Sequence, residues 1–257
     1  MNRVGKSCGF SLIELAVVLV IIGLLLGGGI AALSATNEQA RRSDAERQLA
    51  DIRQALYGYA LSEGRLPCPD ANDDPPDGRE DLNADGDDCL QGAGALPWVA
   101  LGVGRRDPWG NVFGYRVENG VDDPDDSSDS CNDPQNFADP TKSKQDPAFG
   151  LEDCADLKVD DGVGGGIVNS AAAIVVSYGP QGGQVWTEDG FVCPGAGSVP
   201  ASGFSPEETD NCDDDQLFQA AEFRPAEADD GRFDDMVIWL ATPILKARMV
   251  EAGTLPR

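Results

Sequence analysis

The chain opens on a short polar stretch and then runs apolar from Phe10 to Leu33, with Glu14 as its one charged position. A helix needs about 20 predominantly apolar residues to cross the hydrocarbon core of a bilayer, so this segment is long enough to span one. Arg3 and Lys6 precede the run, which predicts a cytoplasmic N-terminus and export of everything that follows. No small-residue cleavage site closes the run, as one would in an ordinary secretory signal, so the apolar segment is expected to stay in the mature protein. From about residue 35 the pattern turns amphipathic. Ala45, Leu49, Ile52, Leu56 and Tyr59 recur at spacings of 4, 3, 4 and 3, while Glu38, Arg41, Arg42, Asp44, Glu46 and Arg47 fill other positions. That is the period of a helix with one buried face, and Gly64 and Pro67 end it.

Beyond this helix the elements are short. Residues 68–92 are acidic and turn-rich, residues 95–103 are apolar, and Asp107-Pro108-Trp109-Gly110-Asn111 is a turn before a predicted strand, Val112–Val117. Residues 118–166 form a long insertion without a period; its Gly-rich end, Gly162 to Gly166, lacks the Lys-Ser/Thr of a phosphate loop and reads as a turn. Ala171–Tyr178 reads as a buried strand, Val185–Trp186 as the beginning or end of another, and residues 193–232 as a second long connection. Phe233–Leu240 is a further strand. Thr242-Pro243 then gives an N-cap and first-turn proline for a helix over Ile244–Glu251, closed by Gly253. The predicted class is α+β: one long N-terminal helix packed on a small antiparallel sheet, with long acidic loops.

Composition removes several functions. Lys plus Arg is 19 against 45 for Asp plus Glu, a formal charge of −26, which argues against nucleic acid as a partner. The chain has no histidine, so a Ser-His-Asp triad, a Cys-His pair and His-ligated zinc are excluded. No nucleophile–base arrangement is readable, and the chain is expected not to be an enzyme.

Gly9-Phe10-Ser11-Leu12-Ile13-Glu14-Leu15, with its basic leader and apolar sequel, resembles the signal of type IV prepilins and type II secretion pseudopilins. The resemblance implies a leader, residues 1–9, a transmembrane and filament-core helix, residues 10–34, and an exported pilin-like domain, residues 35–257. It implies cleavage after Gly9 by prepilin peptidase, N-methylation of Phe10, and a role for Glu14 in guiding the subunit into a filament. The Asp-Pro-Trp-Gly-Asn turn is similar to a segment of major pseudopilins. The expected protein is thus a structural subunit of a type IV pilus-like or pseudopilus filament. It would be inserted once in the inner membrane with its C-terminal domain periplasmic, then assembled with other pilin or pseudopilin subunits. The alternative is a periplasmic enzyme or binding module that keeps the apolar segment as a plain anchor.

Cleavage after Gly9 would remove Cys8 and leave Cys68, Cys89, Cys131, Cys154, Cys193 and Cys212. An even count in an exported domain favours disulfides. Of the many connectivities open to six cysteines, pairing in sequence order (68–89, 131–154, 193–212) is the expectation, because each bond then staples one acidic loop. No two cysteines have the spacing of a zinc knuckle. Two acidic segments are candidates for calcium. Asp81, Asn83, Asp85 and Asp87, with Gly86 between the last two, follow the first half of an EF-hand loop, but Gly92 stands where its closing Glu would be. The other is Asp229-Asp230-Gly231 with Asp234-Asp235, late in the chain, where major pseudopilins bind calcium.

Overall fold

The computed structural model describes residues 11–71, 75–120, 135–187, 190–191, 193, 204–213, 215–225, 228 and 231–255, with the backbone alone for 24–35, 186–187 and 190–191. The chain divides into two units, Met1–Ser43 and Asp44–Arg257. Helix α1, Leu12–Glu63, begins in the first and ends in the second. In the first unit the side chains from Leu12 to Gly23 are all exposed.

In the second unit the amphipathic stripe behaves as its spacing requires. Ala45, Leu49, Ile52, Leu56, Tyr57 and Ala60 are buried on one face of α1, and Tyr59 is half-buried beside them. The helix stops at Glu63 because Gly64 takes a left-handed φ of +81°. A Cβ there would lie 2.3 Å from the Ser143 carbonyl oxygen, so only glycine fits.

The following elements are β1 (Ala93–Ala95), α2 (Trp98–Leu101), β2 (Gly114–Val117), β3 (Leu157–Asp160) and β4 (Gly166–Ser177). After β4 come α3 (Gly182–Val185), β5 (Trp186–Thr187), β6 (Gly190–Phe191), α4 (Pro206–Asp210), β7 (Leu217–Gln219), β8 (Met236–Ala241) and α5 (Thr242–Glu251). Six strands make one sheet around β4, and β5 and β6 pair separately. One edge of β4 carries β3 over its first half and β2 over its second; the other edge carries β8. Side chains alternate across it. Ala173 and Val175 of β4 join Met236, Ile238 and Leu240 of β8 in the core under α1 and α5. Ile174 and Val176 join Val237, Trp239, Phe218 and Val185 in a second core on the opposite face. Because both faces are covered, β4 reads as an unbroken apolar run in the sequence.

The α+β class is as expected, with three differences. The sheet is mixed, because β7 lies parallel to β3: the chain makes β4 and α4 between the two and so returns to β3 in the same direction. β3, α4 and β7 fall inside stretches expected to be loop. The N-cap of α5 is Ala241, with no side-chain cap bond, and Thr242 is inside the helix with Pro243 in its first turn.

Cys68–Cys89 and Cys193–Cys212 are disulfides, with Cα atoms 5.3 and 5.2 Å apart. Cys154 is also disulfide-bonded. Its expected partner, Cys131, lies outside the described residues.

Candidate functional site

Gly9 and Phe10 lie outside the described residues. Ser11 precedes the helix, and its N–H donates to Glu14 Oε2 at 3.4 Å. The first turn of a helix leaves N–H groups without intrahelical partners, and an acidic side chain three residues on is placed to accept one. At 3.4 Å this is a long contact, and it leaves the carboxylate exposed to other cations. Around Glu14 the helix is apolar on every side: Leu12, Ile13, Leu15, Val17, Val18, Leu19, Val20, Ile21 and Ile22 are all exposed. A helix without a polar face is suited to lipid or to the inside of a helical assembly. Among the described residues no helix is long and apolar enough to cross a membrane.

Residues 5–30 match the model of one family, the prokaryotic N-terminal methylation motif. This chain carries the prepilin signal. The motif is the signature of type IV pilins and pseudopilins, and it supports a pilin-type substrate of prepilin peptidase held at a membrane. No curated protein and no solved structure matches the chain.

Away from the signal, buried carboxylates organise the second unit. The acidic residues nearest the first disulfide are not equivalent. Glu80 accepts four bonds: from Arg65 Nη1 at 2.6 Å and Nη2 at 3.2 Å, from Tyr59 Oη at 2.5 Å, and from the Cys68 N–H at 2.9 Å. It thereby ties the Cys68–Cys89 loop to the last turns of α1, and burial together with the Glu80 bond raises the Tyr59 hydroxyl far above its usual range. Asp107, at the head of the Asp-Pro-Trp-Gly-Asn turn, accepts from the N–H groups of Trp109 and Asn111 and from Ser177 Oγ at the end of β4. That turn is a cap fastened to the sheet.

Of the residues in the EF-hand-like segment, Asn83 and Asp87 bond to each other, Nδ2 to Oδ1 at 2.8 Å and N–H to Oδ1 at 3.1 Å. Asp81 instead accepts from the Ala71 N–H at 2.7 Å, and Asp85 is exposed. The segment is a closed turn bridging Leu82 to Cys89, and its four side chains are not drawn together as one ligand set. In the second acidic segment, Asp229 and Asp230 lie outside the described residues, but Asp234 and Asp235 meet Glu208 of α4. The three buried carboxylates have oxygens within 4.8 Å of one another. Glu208 closes a capping box with Ser205, accepting its N–H at 2.9 Å, and also accepts from the Asp234 N–H at 3.1 Å. Asp235 accepts from Asn211 Nδ2 at 2.9 Å, and Asp234 pairs with Arg232. Burial pushes Asp235 well above the usual carboxylate range, Asn211 opposes this, and Glu208 and Asp234 add to it. Glu208 is raised for the same reason, burial first. Glu208 escaped the reading of the sequence. The spacing Ser205-x-x-Glu208 after a loop was its signal.

Proposed function

We propose that the protein is a structural subunit of a type IV pilus-like or pseudopilus filament. Prepilin peptidase cuts it after Gly9, Phe10 is methylated, and the subunit waits as a single-pass inner-membrane protein with its C-terminal domain periplasmic. The observation that carries this reading is the methylation motif at residues 5–30 leading directly into α1. An all-apolar helical start is poorly suited to water and well suited to bilayer storage and then to a filament core. The disulfides suit an oxidising compartment, and the sheet packed on the second part of α1 is consistent with a pilin-like domain. The mass of the mature N-terminal peptide tests it. The expected species starts at Phe10 and carries one extra methyl group; a chain that keeps Met1, or starts beyond residue 30, removes the proposal and leaves an anchored periplasmic module.

The convergence of Glu208, Asp234 and Asp235 favours a second, separate reading: calcium binding at this cluster. Hard carboxylate oxygens suit calcium, each bonded oxygen keeps a second lone pair, and a divalent ion would relieve repulsion among three buried acids. The full-length protein in detergent should then gain about 5–11 °C in melting temperature at calcium about 100-fold above its dissociation constant, from a gain of about 2.7 kcal/mol. Equal melting in calcium and in sodium chloride of the same ionic strength would count against a site here.

A further inference from the structure

β2 ends at Val117, and the residues that follow, Glu118-Asn119-Gly120, contain the one Asn-Gly pair of the chain. The main chain of Glu118 is fixed on both sides. Its N–H donates to the Ala172 carbonyl of β4 at 3.0 Å, and its own carbonyl accepts from the Phe137 N–H at 2.9 Å. The Glu118 side chain is buried. Oε2 accepts from the Asp156 N–H at 2.7 Å, and Oε1 accepts from the Gly120 N–H at 2.9 Å. Asn119 is held as well. Its side-chain amide lies against Gly92, where a Cβ would come within 3.0 Å of Cγ, Oδ1 and Nδ2 alike, and its main chain bridges to Asn136. Gly120 takes a φ of +75°, a conformation open to glycine without steric cost.

In an Asn-Gly pair the asparagine Cγ and the glycine nitrogen are four bonds apart, and glycine has no Cβ to obstruct their approach. What prevents ring closure is the amide proton, because a peptide nitrogen becomes a nucleophile only as that proton leaves. An N–H bonded to a carbonyl has no base to give it to. Here the acceptor is a carboxylate, at a distance within the reach that a general base requires. Burial raises the Glu118 carboxyl, against the bonds from Asp156 and Gly120 and the charge of Arg116. Its carboxylate is therefore a stronger base than an exposed glutamate.

We propose that Asn119 is a self-modification site, at which Glu118 draws the proton from the Gly120 nitrogen and so promotes its attack on Asn119 Cγ. The bond formed joins Gly120 N to Cγ. The bond broken is Cγ–Nδ2, and Nδ2 leaves as ammonia with the proton that Glu118 received. Water then opens the succinimide at either carbonyl, leaving aspartate or isoaspartate at position 119. The product carries one more negative charge. Isoaspartate also adds one main-chain carbon after residue 119, beside its bridge to Asn136. The inference is independent of the filament reading, which is tested at the N-terminus.

The test keeps the full-length protein in detergent at neutral pH, folded or unfolded in urea, and follows the peptide holding residue 119 by mass and by chromatographic separation of isoaspartate from aspartate. Folded protein should convert at least about tenfold faster than unfolded protein, since a positioned base contributes about 10²-fold or more. Generic Asn-Gly chemistry predicts the reverse order, because folding restrains the chain. Glu118→Gln keeps the shape and removes the base, and it should slow the folded protein by about tenfold or more. Protease resistance and an intact Cys68–Cys89 bond confirm that this variant is folded; if it does not fold, the folded and unfolded parent alone decide. Conversion of the folded parent no faster than the unfolded, equal rates for the parent and folded Glu118→Gln, or aspartate without isoaspartate would each overturn the inference.

Discussion

Glu14→Ala should leave membrane insertion and cleavage after Gly9 intact while cutting incorporation into filaments at least about tenfold. Removal of the leader creates an amino group on Phe10 at the start of a helix whose N-terminus already carries positive partial charge. That cation is unfavourable there, and more so once the apolar helices are gathered together. Among the described residues, Glu14 makes only the long 3.4 Å contact with the Ser11 N–H, so its exposed carboxylate can meet the Phe10 amine of a neighbouring subunit. In an apolar surrounding an unpaired charge costs about 3–5 kcal/mol, far more than the capping contact contributes. Insertion should survive because alanine makes the segment more apolar, and cleavage because Gly9, Arg3 and Lys6 are unchanged. Gly9→Val should have the complementary effect, an uncut precursor that remains in the membrane. Fractionation of sheared filaments and membranes, with mass measurement of the N-terminal peptide, separates the two. If Glu14→Ala enters filaments as well as the parent, the residue is only a helix cap beside Ser11.

The sequence exposes what is local and periodic. The stripe Ala45, Leu49, Ile52, Leu56 was legible because a helix repeats its buried face within a few residues, and β4 because a strand covered on both faces becomes a continuous apolar run. β3 was hidden: Leu157-Lys158-Val159-Asp160 alternates correctly, but over four residues inside an acidic stretch. β7 is shorter still, and α4 has a capping box with no apolar face behind it. The carboxylate group was partly visible, as Asp234-Asp235, but its third member is 26 residues earlier by the bond that joins Glu208 to Asp234. Periodicity carries no information over that distance. The sheet, through β7 and β8, and the Cys193–Cys212 bond bring the segments together. The Asp81–Asp87 spacing is a local pattern whose members take different bonds: Asp81 accepts from the Ala71 N–H, and Asn83 bonds with Asp87. Among 45 acidic residues, composition does not single out the few that are buried.

Glu80 is largely shielded without being fully buried, and Glu80→Ala should lower the stability of the second unit by about 3–5 kcal/mol. The Arg65 and Glu80 side chains are only 14% and 17% exposed. Removing the carboxylate therefore leaves a guanidinium shielded from water without its counter-ion, and it also takes the acceptor from the Tyr59 hydroxyl and the Cys68 N–H. Each such loss leaves a desolvated donor, which is why breaking the pair costs more than forming it gains. For a unit of this size the melting temperature should fall by about 6–20 °C, at about 2–4 °C per kcal/mol. The Cys68–Cys89 bond should still form, because Glu80 lies inside the loop it closes and not at its ends. The loop would then be tied covalently but detached from α1, and limited proteolysis should cut within it before the sheet. Glu80→Gln keeps the shape and one acceptor oxygen and should fall between the two. The exposed pair Arg79–Asp77, 3.6 Å apart with side chains 72% and 48% exposed, supplies the control. Asp77→Ala should change stability by no more than about 1 kcal/mol, since solvent already screens that pair. A loss for Glu80→Ala no larger than for Asp77→Ala would mean that the network is not what holds the first disulfide loop against the helix.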